Sequence, residues 1–201
     1  GRDSAGLQIV IWDHGLEDRG VPDARVEDPL FRSGSVRHLS SGGLLFVFKA
    51  AAEIGELGDN TNALRRALSE DRVLARALTG TDVQGAVMGH TRWASVGLIS
   101  EANAHPLCSA NVGIDKLPLV TAVQNGDVDN YADLVVAADL AVPDGISTDA
   151  WVVPALCANH LQAGLEPLDA FRQTVEVFEG SAAVATTIGD VPARLCLAVR
   201  G

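Results

Sequence analysis

Residues 7–13 (LQIVIWD) form a continuous apolar run closed by His14 and Gly15, the pattern of a buried strand followed by a turn. Between residues 15 and 43 the pattern breaks. Prolines, many charges and the cluster Ser40, Ser41, Gly42 and Gly43 mark a long surface excursion. Over 44–57, Val47, Ala50 or Ala51, Ile54 and Leu57 recur at helical spacing and Gly58 supplies a stop, which predicts a helix. Two short helices are predicted next. One presents Leu64, Ala67 and Leu68; the other presents Leu74, Ala77 and Leu78 before Gly80, with Ser69, Glu70 and Asp71 between them.

Beyond Gly80 the texture turns to strands, over 83–88 and over 117–123, the latter running into Asn125-Gly126. Segments 129–140, 148–162 and 167–178 carry apolar stripes behind a polar or acidic start and read as helices. Two strands, 181–188 and 193–199, finish the chain. Strands at both ends with helices grouped between them predict an α+β layered domain rather than a βαβα alternation.

Composition narrows the class. The 201 residues are 47% hydrophobic, with a mean hydropathy of +0.18, enough for one compact domain with a sizeable core. Twenty-six acidic against 15 basic side chains give a net charge of −11, which removes the attraction that drives binding to nucleic acid or to an anionic membrane surface. No apolar run reaches the roughly 18 residues of a membrane span, and no signal peptide opens the chain, so the expected location is cytoplasmic. Cys108, Cys157 and Cys196 make neither a disulfide framework nor a C-x-x-C pair. The chain opens at Gly1 without methionine and closes at Gly201 just after an apolar run. Both ends read as cut.

No phosphate-binding glycine motif and no zinc-ligand spacing occurs, so neither a cofactor nor a metal is expected. Asp3-Ser4-Ala5-Gly6 departs from a serine nucleophile elbow, since Arg2 stands at the first glycine and a strand follows rather than precedes. The polar segment 89–106 (GHTRWASVGLISEANAHP) follows an apolar strand, a common place for a site. Within it, Arg92 offers a planar fork suited to a carboxylate and Trp93 a rigid apolar wall, although a surface arginine beside a tryptophan lid on the core fits equally well. Asn125-Gly126 is the strongest two-residue hairpin signal, with an oxyanion hole of side-chain amide and glycine N–H as the competing reading. Asp149 stands at a helix start, favoured there by the helix dipole, and could also hold a substrate ammonium.

A guanidinium for a carboxylate, a carboxylate for an ammonium and an oxyanion hole for a side-chain carbonyl are what recognition of a free amino acid requires. Taken in order, GRDSAG, GHTRWAS with SEANAHP, QNGDVDNY and STD resemble the class II glutamine amidotransferase domain from Gly1 to about Gly201. Within that family they resemble the isomerising glutamine:fructose-6-phosphate aminotransferase branch. HTRW followed by NAHP sets the branch apart from amidophosphoribosyltransferases, which carry Tyr-Ser in place of Trp-Ala, and from asparagine synthetases, which lack NAHP.

The resemblance implies a four-layer αββα N-terminal nucleophile hydrolase fold, incomplete here at both ends. It implies that Arg92 binds the glutamine carboxylate, that Asp149 binds its α-ammonium, that Asn125 and Gly126 form the oxyanion hole, and that Trp93 closes the site and gates ammonia passage. It further implies a glutaminase that supplies ammonia to a C-terminal sugar-phosphate isomerase domain converting fructose 6-phosphate to glucosamine 6-phosphate, in a homodimer. The domain is expected to cover 1–201, with residues 15–80 as a surface excursion and helical insertion.

The family's nucleophile is an N-terminal cysteine whose own α-amine serves as base, on a strand upstream of GRDSAG that these residues do not contain. None of the three cysteines replaces it. Cys157 and Cys196 read as inert core residues, while Cys108 falls on an expected loop but lacks the α-amine. Arg2, Val96, Gln124 and Trp151 depart from the usual residues, and His90 and His105 read as scaffold hydrogen-bonders. Two alternatives stay open: a non-catalytic amino-acid-binding or regulatory domain, and the glutaminase module of another ammonia-transferring enzyme.

Overall fold

The computed structural model describes residues 2–16, 20–51, 56–109, 118–189 and 194–201. The predicted starts at Leu117 and Ala193, and Ile54, lie outside them. The elements run β1 (Ser4–Trp12), α1 (Asp23–Val26), β2 (Val36–His38), β3 (Leu44–Ala51), α2 (Asp59–Glu70), α3 (Arg72–Ala77), β4 (Gln84–Arg92), β5 (Leu107–Cys108), β6 (Val120–Val128) and α4 (Tyr131–Ala137). A 3-10 turn (Asp149–Trp151) then leads into α5 (Val152–Gln162), followed by α6 (Pro167–Glu176), β7 (Gly180–Ile188) and β8 (Leu195–Arg200).

Two antiparallel sheets result, ordered β2-β3-β1-β4 and β5-β6-β7-β8. On the outer face of the first, Ile11, Phe46 and Phe48 pack against Leu64 of α2 and Leu74 and Ala77 of α3. On the outer face of the second, Val184, Ala182 and Val128 pack against Val153, Cys157 and Phe171 of α5 and α6. Between the sheets lie Val10, Leu45 and Val47 with Cys108, and the Gln8 amide donates to Thr187 Oγ1 at 2.9 Å across the gap. This is the expected helix–sheet–sheet–helix layering. Among the described residues no helix is long and apolar enough to cross a membrane.

Three expectations need correction. The helix expected over 44–57 does not start at Leu44, because Leu44–Ala51 forms strand β3 between β2 and β1. Its run LLFVF buries alternate side chains in two different cores, Leu44, Phe46 and Phe48 in one and Leu45 and Val47 in the other. Such a run matches helical spacing by chance when every position is apolar. The stretch between 15 and 80 is therefore more than a surface excursion, since it supplies an inner strand of the first sheet. Asn125-Gly126 is no hairpin turn either: both lie inside β6, opposite Ala183 and Ala182 of β7. Finally, Cys108 is not on an exposed loop but buried in β5, 7% exposed.

Candidate active site

Strand β4 extends further than the apolar pattern indicates, carrying His90 and Arg92 to its end. Its register against β1 sets His90 opposite Gly6, and Gly6 has no room for a side chain. A Cβ there would sit 2.1 Å from the His105 carbonyl oxygen. The glycine of DSAG thus lets the loop before β5 lie directly on β1. That loop buttresses the other motifs. Buried Asn103 accepts through Oδ1 from the N–H groups of Ser147 (2.8 Å) and Thr148 (3.2 Å), and its amide donates to the Gly145 carbonyl at 3.1 Å. His105 Nδ1 accepts from the N–H of Gln124 at 3.2 Å. The two polar residues of NAHP therefore hold the chain just ahead of Asp149 and of Asn125.

The outcome is one polar cavity of about 40 Å³, lined by His90, Arg92, Trp93, Ser95, His105, Gln124, Asn125, Gly126, Thr148 and Asp149. All five residues singled out in the sequence line it. Arg92 is buried, and its guanidinium donates to the Val96 carbonyl, to the Leu98 carbonyl at 3.3 Å and to Thr148 Oγ1 at 3.4 Å. Thr148 Oγ1 passes the connection on by donating to Asp149 Oδ1 at 3.3 Å. Asp149, buried in the 3-10 turn, accepts through Oδ2 from the Val128 N–H and from Gln124 Nε2, both at 2.9 Å. A cation and an anion are thus fixed on one wall, separated by a threonine. Burial pulls the Arg92 guanidinium below its ordinary value, opposed by Asp149 and Asp3, and an arginine remains charged under such conditions.

Asn125 is exposed on the cavity wall, and Gly126 follows with φ +97°, where a Cβ would strike the Ser181 carbonyl oxygen at 2.0 Å. Only glycine keeps β6 and β7 paired there. Trp93 is 83% exposed, so it does not lie as a lid over the core. The segment after it is strapped across the cavity mouth: the Ala94 N–H donates to Asp3 Oδ2 (2.7 Å), the Ser95 hydroxyl to Asp127, and the Leu98 N–H to Ser147 Oγ (2.9 Å).

Sequence reasoning missed Gln124, Thr148, Asn103 and Asp127 as builders of this site. Only their places inside the QNGD, STD and NAHP motifs could have pointed to them. Cys157 and Cys196 belong to the core against the helices, and burial pushes the Cys157 thiol up to about 12. No cysteine lines the cavity. Among the described residues no cluster of three or more His, Cys, Asp or Glu side chains is set to hold a metal ion.

No family model matches the chain. It is 38% identical over 141 residues to a glutamine–fructose-6-phosphate aminotransferase (isomerizing) of Mesorhizobium japonicum, an alignment covering 68% of this chain and 21% of that protein. With the enzyme of the same name from Halobacterium salinarum it shares 35% identity over 192 residues, covering 93% of this chain and 25% of the relative. The chain thus spans about a fifth to a quarter of the length of these relatives. Among solved structures it resembles the glutamine phosphoribosylpyrophosphate amidotransferase of B. subtilis (TM-score 0.51, 15% identity, 96% of this chain and 37% of that one). A second neighbour is an allosteric regulatory enzyme of purine biosynthesis (TM-score 0.53, 15% identity, 99% of this chain and 31% of that one). Layering, motif order and these likenesses together identify the chain as a class II glutamine amidotransferase domain with the N-terminal nucleophile hydrolase fold.

Proposed function

We propose that this domain hydrolyses L-glutamine to glutamate and delivers the ammonia to a sugar-phosphate isomerase domain of the same, longer, homodimeric cytoplasmic polypeptide, which makes glucosamine 6-phosphate from fructose 6-phosphate. The observation that carries the reading is the convergence of Arg92, Asp149, Asn125 and Gly126 on one cavity. Arg92 takes the α-carboxylate and Asp149 the α-ammonium, an arrangement complementary to a zwitterion. The side-chain amide then reaches Asn125 and Gly126, whose amide N–H groups stabilise the oxyanion formed on attack. Trp93 at the mouth covers the bound amino acid.

The attacking thiolate belongs to a cysteine that heads a strand outside these residues. Beside the site, an open groove of about 490 Å³ runs between the outer edge of β4 and the apolar face formed by Val123, Ala183, Leu197 and Val199. That edge has no partner strand among the described residues, so an apolar strand would complete the sheet and bring its first residue to the cavity. The thiol's proton, taken up by the cysteine's own α-amine, passes to the leaving nitrogen. Ammonia departs, and water releases glutamate from the thioester.

The test is an assay of the full-length gene product with glutamine and fructose 6-phosphate. Glutamate and glucosamine 6-phosphate are the expected products. Glutamate without the amino sugar indicates a different ammonia acceptor, whereas glutamine binding without hydrolysis indicates a non-catalytic amino-acid-binding domain. The 201-residue chain alone is expected to release no glutamate, and any turnover by it overturns the assignment of the nucleophile.

Asn125→Asp in the full-length protein isolates the oxyanion contribution. The substitution replaces a donor by a negative charge facing the developing one, so kcat is expected to fall by about a hundredfold to a thousandfold. Because residue 125 sits within a paired strand at an exposed position, Tm is expected to stay near wild type. A variant that keeps both its rate and its Tm removes Asn125 from the oxyanion hole.

A further inference from the structure

Gln124 stands immediately before the Asn125-Gly126 pair, buried at 3% exposure, with its carboxamide against Asp149. Nε2 donates to Asp149 Oδ2 at 2.9 Å and to the Gly126 carbonyl at 3.0 Å, which uses both of its N–H bonds. The other end of the same group, Oε1, is buried with no hydrogen-bond partner among the described residues. A nitrogen that donates at once to a carboxylate and to a carbonyl does what a bound ammonium does. Here a neutral side chain of the protein does it.

Asp149 has little left to offer while that amide stays. Its Oδ2 also accepts the Val128 N–H at 2.9 Å, and its Oδ1 accepts from the Thr148 hydroxyl at 3.3 Å. With the Gln124 bond, three of the roughly four lone-pair positions of the carboxylate are taken, in a residue only 4% exposed. An ammonium therefore reaches this carboxylate in full only by taking the place of the Gln124 nitrogen.

The exchange favours the ammonium. Its hydrogen bonds to a carboxylate join two ionised partners and are stronger than those of a neutral amide. The unpaired Oε1 lowers what Gln124 forfeits on leaving, because a buried acceptor without a donor is itself destabilising. A departing carboxamide, with its carbon, nitrogen and oxygen, also vacates more volume than the nitrogen that replaces it. A ligand without an ammonium leaves the amide seated and Asp149 paired. From this geometry we infer that Gln124 determines specificity for the α-ammonium: its carboxamide occupies the ammonium's place and yields it only to a ligand that carries one. The inference rests on the glutaminase reading for the role of Asp149.

L-Glutamate and glutarate test it, because they differ only in the α-ammonium and neither is hydrolysed. In crystals of the wild-type full-length protein, glutamate is expected to place its ammonium on Asp149 and the Gly126 carbonyl, with the Gln124 carboxamide turned to another rotamer. Glutarate is expected to leave the amide on both acceptors. A carboxamide that keeps its place beside bound glutamate, or one that leaves with glutarate, overturns the inference.

Isothermal titration of Gln124→Ala in the full-length protein gives a second readout. The substitution removes the competitor for glutamate and strips Asp149 of a partner when glutarate binds. The ratio of the glutarate Kd to the glutamate Kd is therefore expected to rise about tenfold over wild type, the scale of one hydrogen bond to a charged group. A ratio that is unchanged or falls makes Gln124 a prop for Asp149 and overturns the inference, and so does an absence of glutamate binding to the wild-type protein. If glutamate displaces the amide while the full-length protein hydrolyses no glutamine, the glutaminase reading fails and the role of Gln124 stands. If glutamine is hydrolysed and the amide keeps its place, the reverse holds.

Discussion

Arg92→Ala and Asp149→Ala are each expected to weaken glutamine binding to the full-length protein by about 2 to 5 kcal/mol, measured by isothermal titration. Each removes a charge-assisted partner from a buried wall and leaves an ionised substrate group facing a desolvated cavity. Both side chains also carry structure, because Arg92 donates to the Val96 and Leu98 carbonyls and Asp149 accepts the Val128 N–H. Asp149→Asn separates the two roles: its amide oxygen can still accept from Val128, but the negative charge is gone. Affinity is expected to fall while Tm holds. Arg92→Lys is expected to rescue little, since one ammonium cannot serve two loop carbonyls and both oxygens of a carboxylate. Wild-type affinity in either alanine variant would return these residues to the scaffold.

Lys49→Met is expected to stabilise the fold at pH 7 by about 3 to 5 kcal/mol. Lys49 projects from β3 into the space between the sheets, 3% exposed, with Nζ lying 5.2 Å from the Phe31 ring centroid and no hydrogen-bond partner among the described residues. Burial, only partly countered by Cys108, Glu101 and Asp28, brings its pKa down from 10.5 to about 7. Between these values the unfolded chain holds a proton that the folded protein does not, so stability rises with pH from about 7 upward. Cys157 works in the opposite sense above pH 9, because its thiol ionises on unfolding but not in the core. Denaturant melts between pH 7 and 9 therefore show the effect of Lys49 with least interference. Wild type is expected to gain stability across that window and Lys49→Met to gain little; parallel slopes would mean that the amine is solvated.

Local chemistry made much of this protein legible. The apolar run of β1, the helices α2, α3, α5 and α6 and the strands β7 and β8 announce themselves because one face of each must be buried, and burial imposes a period on the side chains. Where every position is apolar the period disappears, which is why β3 reads as a helix until its two faces are seen in two separate cores. At Asn125-Gly126 the turn signal was genuine as a local preference, yet pairing along the whole length of β6 with β7 outweighs the preference of two residues.

The candidate residues Arg92, Asn125, Gly126 and Asp149 could be chosen from residue type and motif order, since the chemistry of holding an amino acid demands those groups. Their convergence could not. Asn103 reaches Ser147 and Thr148 across more than forty positions, and His105 reaches Gln124 across 19. Only the folded chain brings such partners within hydrogen-bond range, His105 and Gln124 by continuing the β5–β6 register in which Leu107 faces Ala122. The sequence by itself determined most of the elements, β3 excepted, and which charges are available. The tertiary structure decided that Lys49 loses its water, that the Nδ1 of His105 is turned to the backbone of β6, and that a cation, an anion and an amide share one cavity, because desolvation and hydrogen-bond direction depend on neighbours that are distant along the chain.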